Sequence, residues 1–205
     1  MTNKATRPRK RDGTLRDGLI EVGITLLREK GPDGLSLREC AARAGVSHAA
    51  PTYHFKNLKG LSTAIAARAF SLFARSMETS ISEAADTPSA RLAAICEGYL
   101  AFAKAHRELF LFMFSGLDLN GDDPEFEAAS TRAYTILSEV SAPFVGPGED
   151  PEEIELLIWS VAHGYSHLAM INKKRPRSKG NDLPALVNIL RHLDIKPSET
   201  GSDQT

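Results

Sequence analysis

Six histidines and two cysteines are the residues of this chain best suited to chemistry, so their spacing is the first thing to read. His163 and His167 stand four apart, on one face of any helix, a spacing a metal ion can use. No carboxylate or cysteine joins them in sequence, and no metal is expected. Cys40 and Cys96 lie in apolar helical surroundings without CxxC or CxxH spacing, which excludes a zinc motif and reads as buried thiols. Cys96, His106 or His163 as a catalyst would need a nucleophile–base pair at informative spacing. The sequence has none, so neither an enzyme nor a cofactor is expected. Recognition is left. Trp159 and His163, again four apart, can offer a ring surface and a hydrogen bond to a bound molecule, or His163 can simply bond a neighbouring backbone.

Charge points the same way. The chain carries a formal charge of -1, yet residues 1–60 hold twelve basic against six acidic side chains, leaving the remainder acidic. A basic module joined to an acidic one suggests that the first meets a polyanion. No apolar run is long enough to span a bilayer, and no apolar stretch follows the basic start, so no membrane contact and a cytoplasmic location are expected.

The elements that position these residues read as all-α. Leu15, Leu19, Val22, Leu26 and Leu27 mark one helix face, ended by Gly31-Pro32. Ser36-Leu37-Arg38-Glu39 has the form of a capping box in which Glu39 reaches back to Ser36. The short helix it opens stops at Gly45. Ser47 offers the next N-cap, for a helix running through His48 to about Phe55. Two short helices around a Gly-containing turn fit a DNA-binding helix-turn-helix in length and chemistry. Beyond them, helices are expected from about Lys59 to Ala84, Ser89 to His106, Glu125 to Ala142, Glu152 to Asn172 and Leu183 to Leu193, with Glu108–Ser115 an aromatic-rich continuation.

Leu35–Ser47, followed by Tyr53-His54-Phe55, resembles the tetracycline-repressor (TetR) family of regulators. Tyr99–Phe114 and Trp159-Ser160-Val161-Ala162-His163-Gly164 resemble its subgroup with a Trp-His-Gly signature. The resemblance implies a three-helix helix-turn-helix DNA-binding domain and a C-terminal helical ligand-binding and dimerisation domain. The expected division is a basic disordered arm over 1–12, the DNA-binding domain over 13–60, the helical domain over 61–195 and a disordered tail over 196–205. The implied activity is a ligand-responsive repressor that binds a palindromic operator as a homodimer through helices at about 152–172 and 183–193. A helical adaptor with an inactive helix-turn-helix is the alternative. Two positions depart from the family pattern. Leu58 replaces a phosphate-facing Lys, leaving Lys56 or Lys59 to supply the charge, and Pro51 lies in the recognition helix, which implies that regular helix starts near Ala49–Pro51.

Double-stranded DNA and a small-molecule effector are thus the expected partners. His48, Ala49, Thr52 and Tyr53 should face outward, with Val46, Ala50 and Phe55 turned inward. His48 and Thr52 suit base edges or thymine methyls, and Tyr53 and His54 suit phosphate or sugar. Ser36, Arg38 and Ser47 lie near helix N-termini, where free N–H groups hold phosphates. Arg7, Arg9, Lys10 and Arg11 form an arm for the backbone or minor groove, or a solvated tail. For the effector, the candidates are Tyr99, Phe102, Phe110, Met113, Phe114, Trp159 and His163, with a well-packed core as the competing reading of each aromatic.

Overall fold

A computed structural model describes residues 12–116, 118–171, 185–193 and 195–198. The arm at residues 7–11 and the basic loop at 173–179 fall outside them.

Among the described residues every long element is helical: α1 (Asp12–Lys30), α2 (Leu37–Ala44), α3 (Ala49–Phe55), α4 (Leu58–Ser82), α5 (Pro88–Ala105), α6 (Arg107–Met113), α7 (Pro124–Ser141), α8 (Pro151–Ile171) and α9 (Leu186–Leu190). Local chemistry sets their ends. Gly31, at φ 70°, releases the chain from α1, and Gly45, at φ 66°, ends α2 in the left-handed region. Thr87 caps α5 through the Ala90 N–H, with Pro88 in the first turn, where a missing N–H costs nothing. Asp123 accepts from the Glu125 and Phe126 N–H groups to start α7.

Helix α4 is the spine. Its Leu61, Ile65, Ala69 and Phe73, the periodic residues of the sequence, are all buried. Helix α4 packs on α1 and α3 on one side of the molecule and crosses α5 and α7 on the other. One continuous core therefore runs from Leu19 to Leu190, with no break at residue 60. The sequence-level division at 60/61 falls inside a helix that both halves share.

Three local expectations are corrected. Ser36 caps α2 by accepting from the Glu39 N–H at 3.2 Å, but the Glu39 carboxylate does not reach back. It bonds Lys30 at 2.8 Å and approaches Arg43, since a paired charge outweighs a bond to one backbone N–H. Ser47 does not cap α3: the cap position is His48, with no side-chain bond, and the helix starts at Ala49. Finally, the last helix is shorter than Leu183–Leu193, ending at Leu190 in a 3-10 turn over Arg191–Leu193. Ser198, placed in the free tail by sequence, bonds the Pro143 and Val145 carbonyls.

Candidate nucleic-acid interface and ligand cavity

The helix-turn-helix presents α3 on a rigid base. Ser47, His48, Ala49, Thr52 and Tyr53 are exposed, Val46 and Ala50 are half-buried, and Phe55 is buried, as the sequence reading requires. Tyr53 is 77% exposed and packs only edge-on against His54, which rules out a core role for its ring. Pro51 is buried in the first turn of α3, where it needs no donor and instead fills space against the domain. Arg38 is exposed beside the Ser36 cap.

The α3–α4 joint is unusually tight. Lys56 has φ 64° and ψ -51°, the only positive φ outside glycine among the described residues, and the Asn57 N–H bonds the Phe55 carbonyl at 2.7 Å. That is a γ-turn, a strained geometry for a side-chain-bearing residue. Asn57 then caps α4 by accepting from the Gly60 N–H at 2.9 Å. A Cβ on Gly60 would lie 2.0 Å from the Phe55 carbonyl oxygen, so only glycine fits. The two lysines differ as a result. Lys59 bonds Asp118 of the α6–α7 loop at 2.7 Å, whereas Lys56 is exposed with no ion pair among the described residues. The same loop is tied again to α4 where Asn120 N–H donates to the Thr63 hydroxyl at 2.9 Å.

The second site is a cavity of about 240 Å³ between α4, α5, α7 and α8. Its walls are Phe70, Phe73 and Met77 from α4; Ile95, Cys96 and Tyr99 from α5; Phe114; Ser130, Ala133, Tyr134 and Leu137 from α7; and Ile158, Trp159 and Ala162 from α8. Tyr134 is about half exposed and marks where the cavity reaches the surface. Three of the expected residues, Tyr99, Phe114 and Trp159, line it. Phe102, Phe110 and Met113 do not: they are buried in the core against neighbouring helices. His163 sits behind the wall, between the Phe110 and Phe114 rings. The α4 and α7 contributors were missed, although Phe70-Phe73-Met77 and Ser130-Ala133-Tyr134-Leu137 each mark one helix face.

A hydrogen-bonded relay stiffens one wall. Trp159 Nε1–H donates to the Tyr99 hydroxyl at 3.2 Å, and that oxygen lies 2.8 Å from His163 Nδ1. Burial, then the neighbouring His167, holds the His163 pKa below its usual value. That shift favours the neutral imidazole, and the Tyr99 hydroxyl and Nδ1 share one hydrogen bond. His163 thus bonds a side chain across the cavity wall rather than neighbouring backbone. The Cys96 thiol faces the cavity, but burial pushes it up to about 12, which keeps it protonated and unreactive. Cys40, also buried, is pushed up to about 11 by burial. Among the described residues no cluster of three metal-ligating side chains occurs, and no helix is long and apolar enough to cross a membrane.

Residues 19–65 match the family model for bacterial regulatory proteins of the tetR family, and residues 92–182 match a tetracyclin repressor-like C-terminal domain. An uncharacterised helix-turn-helix-type transcriptional regulator of Mycobacterium tuberculosis is 26% identical over 156 residues, 76% of this chain and 70% of that protein. A solved structure of a protein of unknown function from Rhodococcus sp. RHA1 superposes with a TM-score of 0.73 at 28% identity, covering 93% of this chain and 96% of that one. AibR, solved with isovaleryl coenzyme A and operator DNA, has the same fold, with a TM-score of 0.61 at 16% identity and coverage of 89% and 99%.

Proposed function

Because the chain belongs to the tetR family of bacterial regulatory proteins and is a DNA-binding transcriptional regulator, we propose that it is a dimeric repressor released from its operator by a small-molecule effector. The observation that carries this reading is a single helix, α4, that forms the aromatic wall of a cavity at one end and abuts the recognition helix at the other. The DNA-facing set is His48, Ala49, Thr52 and Tyr53 on α3, with Lys56 in place of the phosphate-facing Lys. Lys59 is already engaged by Asp118. Ser36 and Arg38 at the start of α2, with Ser47 and His54, complete the backbone contacts.

Dimerisation falls to α8. Leu157, Ser160, Gly164 and Leu168 form one exposed stripe on it, with Leu156 alongside. Nothing lies near Gly164, so a partner helix can approach its backbone closely. The expectation that both late helices share the interface shifts toward α8, because α9 turns its Leu186 and Leu190 into its own core.

The test is selection of bound sequences from a random duplex library by the intact protein, repeated with Tyr53→Ala. One palindrome, lost in the variant, is expected. On that duplex Lys56→Ala should lower the salt dependence of binding by about one counterion per subunit, while Lys59→Ala leaves it unchanged. No enrichment at low salt, or no effect of cavity ligands on the complex, would refute the repressor reading.

A further inference from the structure

Accepting the cavity as the effector site, its chemistry narrows what can enter. We infer that the effector is a lipophilic organic cation: an apolar body that fills the aromatic chamber and one ammonium-type charge held at the mouth by Glu155.

Three observations converge. First, the chamber offers the π faces of rings such as Phe70, Phe73, Tyr99, Phe114 and Trp159, and these attract cations. Second, no basic side chain among the described residues lines it, so a carboxylate or phosphate would meet no countercharge there; His163 lies outside the lining and is already bonded to Tyr99. Third, Glu155 stands just behind the lining, one turn before the wall residues Ile158 and Trp159 and seven residues before Ala162 on α8. It is 6% exposed, and its only partner among the described residues is the hydroxyl of the mouth residue Tyr134.

The neighbouring acids do not explain it. Asp150 caps α8 through the Glu152 N–H, and Glu152 is a first-turn acid, both placed as helix electrostatics favours. Glu155 is deeper and gains nothing of the kind. The acids of α8 also set the potential at the mouth: the Tyr134 hydroxyl is pushed up first by its bond to Glu155 and then by burial and by the Glu155, Glu152 and Asp150 charges. Among the described residues Glu155 has no countercharge; a buried carboxylate in that state is costly, and a bound cation removes that cost. An anionic effector meets the opposite field.

Three ligands with one eight-carbon tail separate the possibilities: octyltrimethylammonium, 1-octanol and octyl sulfate. Each is titrated into the intact protein. Trp159, the single tryptophan, reports cavity occupancy by its fluorescence, and the melting temperature gives a second readout. The expected order is ammonium tightest, alcohol weaker, sulfate weakest. Glu155→Gln should weaken the ammonium about tenfold and leave the alcohol unchanged, and that unchanged binding certifies an intact cavity. Tyr134→Phe keeps the ring but frees the carboxylate, and should tighten the ammonium. If the alcohol binds while the sulfate matches or exceeds the ammonium, or if both variants leave the ammonium unaffected, the cation proposal is overturned and the effector cavity stands. If none of the three binds, both fall.

Discussion

Tyr99, Trp159 and His163 meet demands that no one of them could meet alone. A buried indole N–H needs an acceptor, a buried phenol needs one too, and a neutral imidazole can supply it. The arrangement makes folding sensitive to mild acid. His163 is held below its ordinary 6.5 by burial and His167, and His106 below its own by burial and Arg28. The unfolded chain therefore takes up protons first as pH falls. Stability is complete above about pH 6.5 and declines below it, levelling only once the folded imidazoles titrate as well. Thermal melts from about pH 7.5 to 5 should show this fall, and His163→Gln, which keeps an acceptor for Tyr99 but cannot titrate, should flatten part of it. Equal slopes in the two proteins would show that His163 is not a source of the effect.

At the scale of the elements, close helix contact is bought with glycine at two crossings. Gly98 of α5 lies so near α4 that a Cβ would sit 2.7 Å from the Met77 Cα and the Ser76 carbonyl oxygen, both backbone atoms that cannot rotate away. The Ser76 hydroxyl donates to the Gly98 carbonyl at 2.8 Å across the same contact. Gly98→Ala should force α4 and α5 apart and cost about 1–3 kcal/mol, as overpacking does. It should also change ligand affinity, because Phe73, Met77, Ile95 and Tyr99 on the two helices wall the cavity. A melting temperature within a degree of the parent would contradict this. Gly60 is the second case, at the joint where the γ-turn of Lys56 meets α4. Periodicity placed α4 and α5 well in the sequence, and it identified the buried Leu61, Ile65, Ala69 and Phe73 of α4. It could not reveal that Phe70, Phe73 and Met77 border a void while Phe102 and Phe110 do not. All five share the same apolar, helical pattern, and which side of a buried ring meets empty space depends on how four helices cross.

For the whole molecule, the two ends are joined through one core and one loop. The α6–α7 loop follows Phe114, a cavity residue, and within six residues places Asp118 on Lys59 and Asn120 on Thr63, in the first turns of α4. Exposed ion pairs of this kind add little to stability, so their value lies in position. Assembly is the other property at this scale. In the proposed dimer, the exposed stripe of Leu157, Gly164 and Leu168 on α8 is the surface a second copy would cover. Leu157→Glu combined with Leu168→Glu should convert a dimer to monomers in sedimentation, with the melting temperature falling and operator affinity lost together. A double variant that stays dimeric would place the interface elsewhere.

The sequence by itself determined the helical class and the outward face of α3. Those follow from local rules: periodicity, caps such as Ser36 and Thr87, and turns that need Gly31 and Gly45. It also pointed to DNA recognition, through the basic first sixty residues and the Leu35–Ser47 pattern, in agreement with the tetR family match. Only the tertiary structure decided that, among the described residues, Lys59 has an ion-pair partner and Lys56 has none, that Glu39 serves two cations instead of its own cap, and that Glu155 lies buried against Tyr134. Each of these depends on partners many residues away or on competition between partners, and side-chain pairing across helices leaves no periodic trace in the chain that makes it.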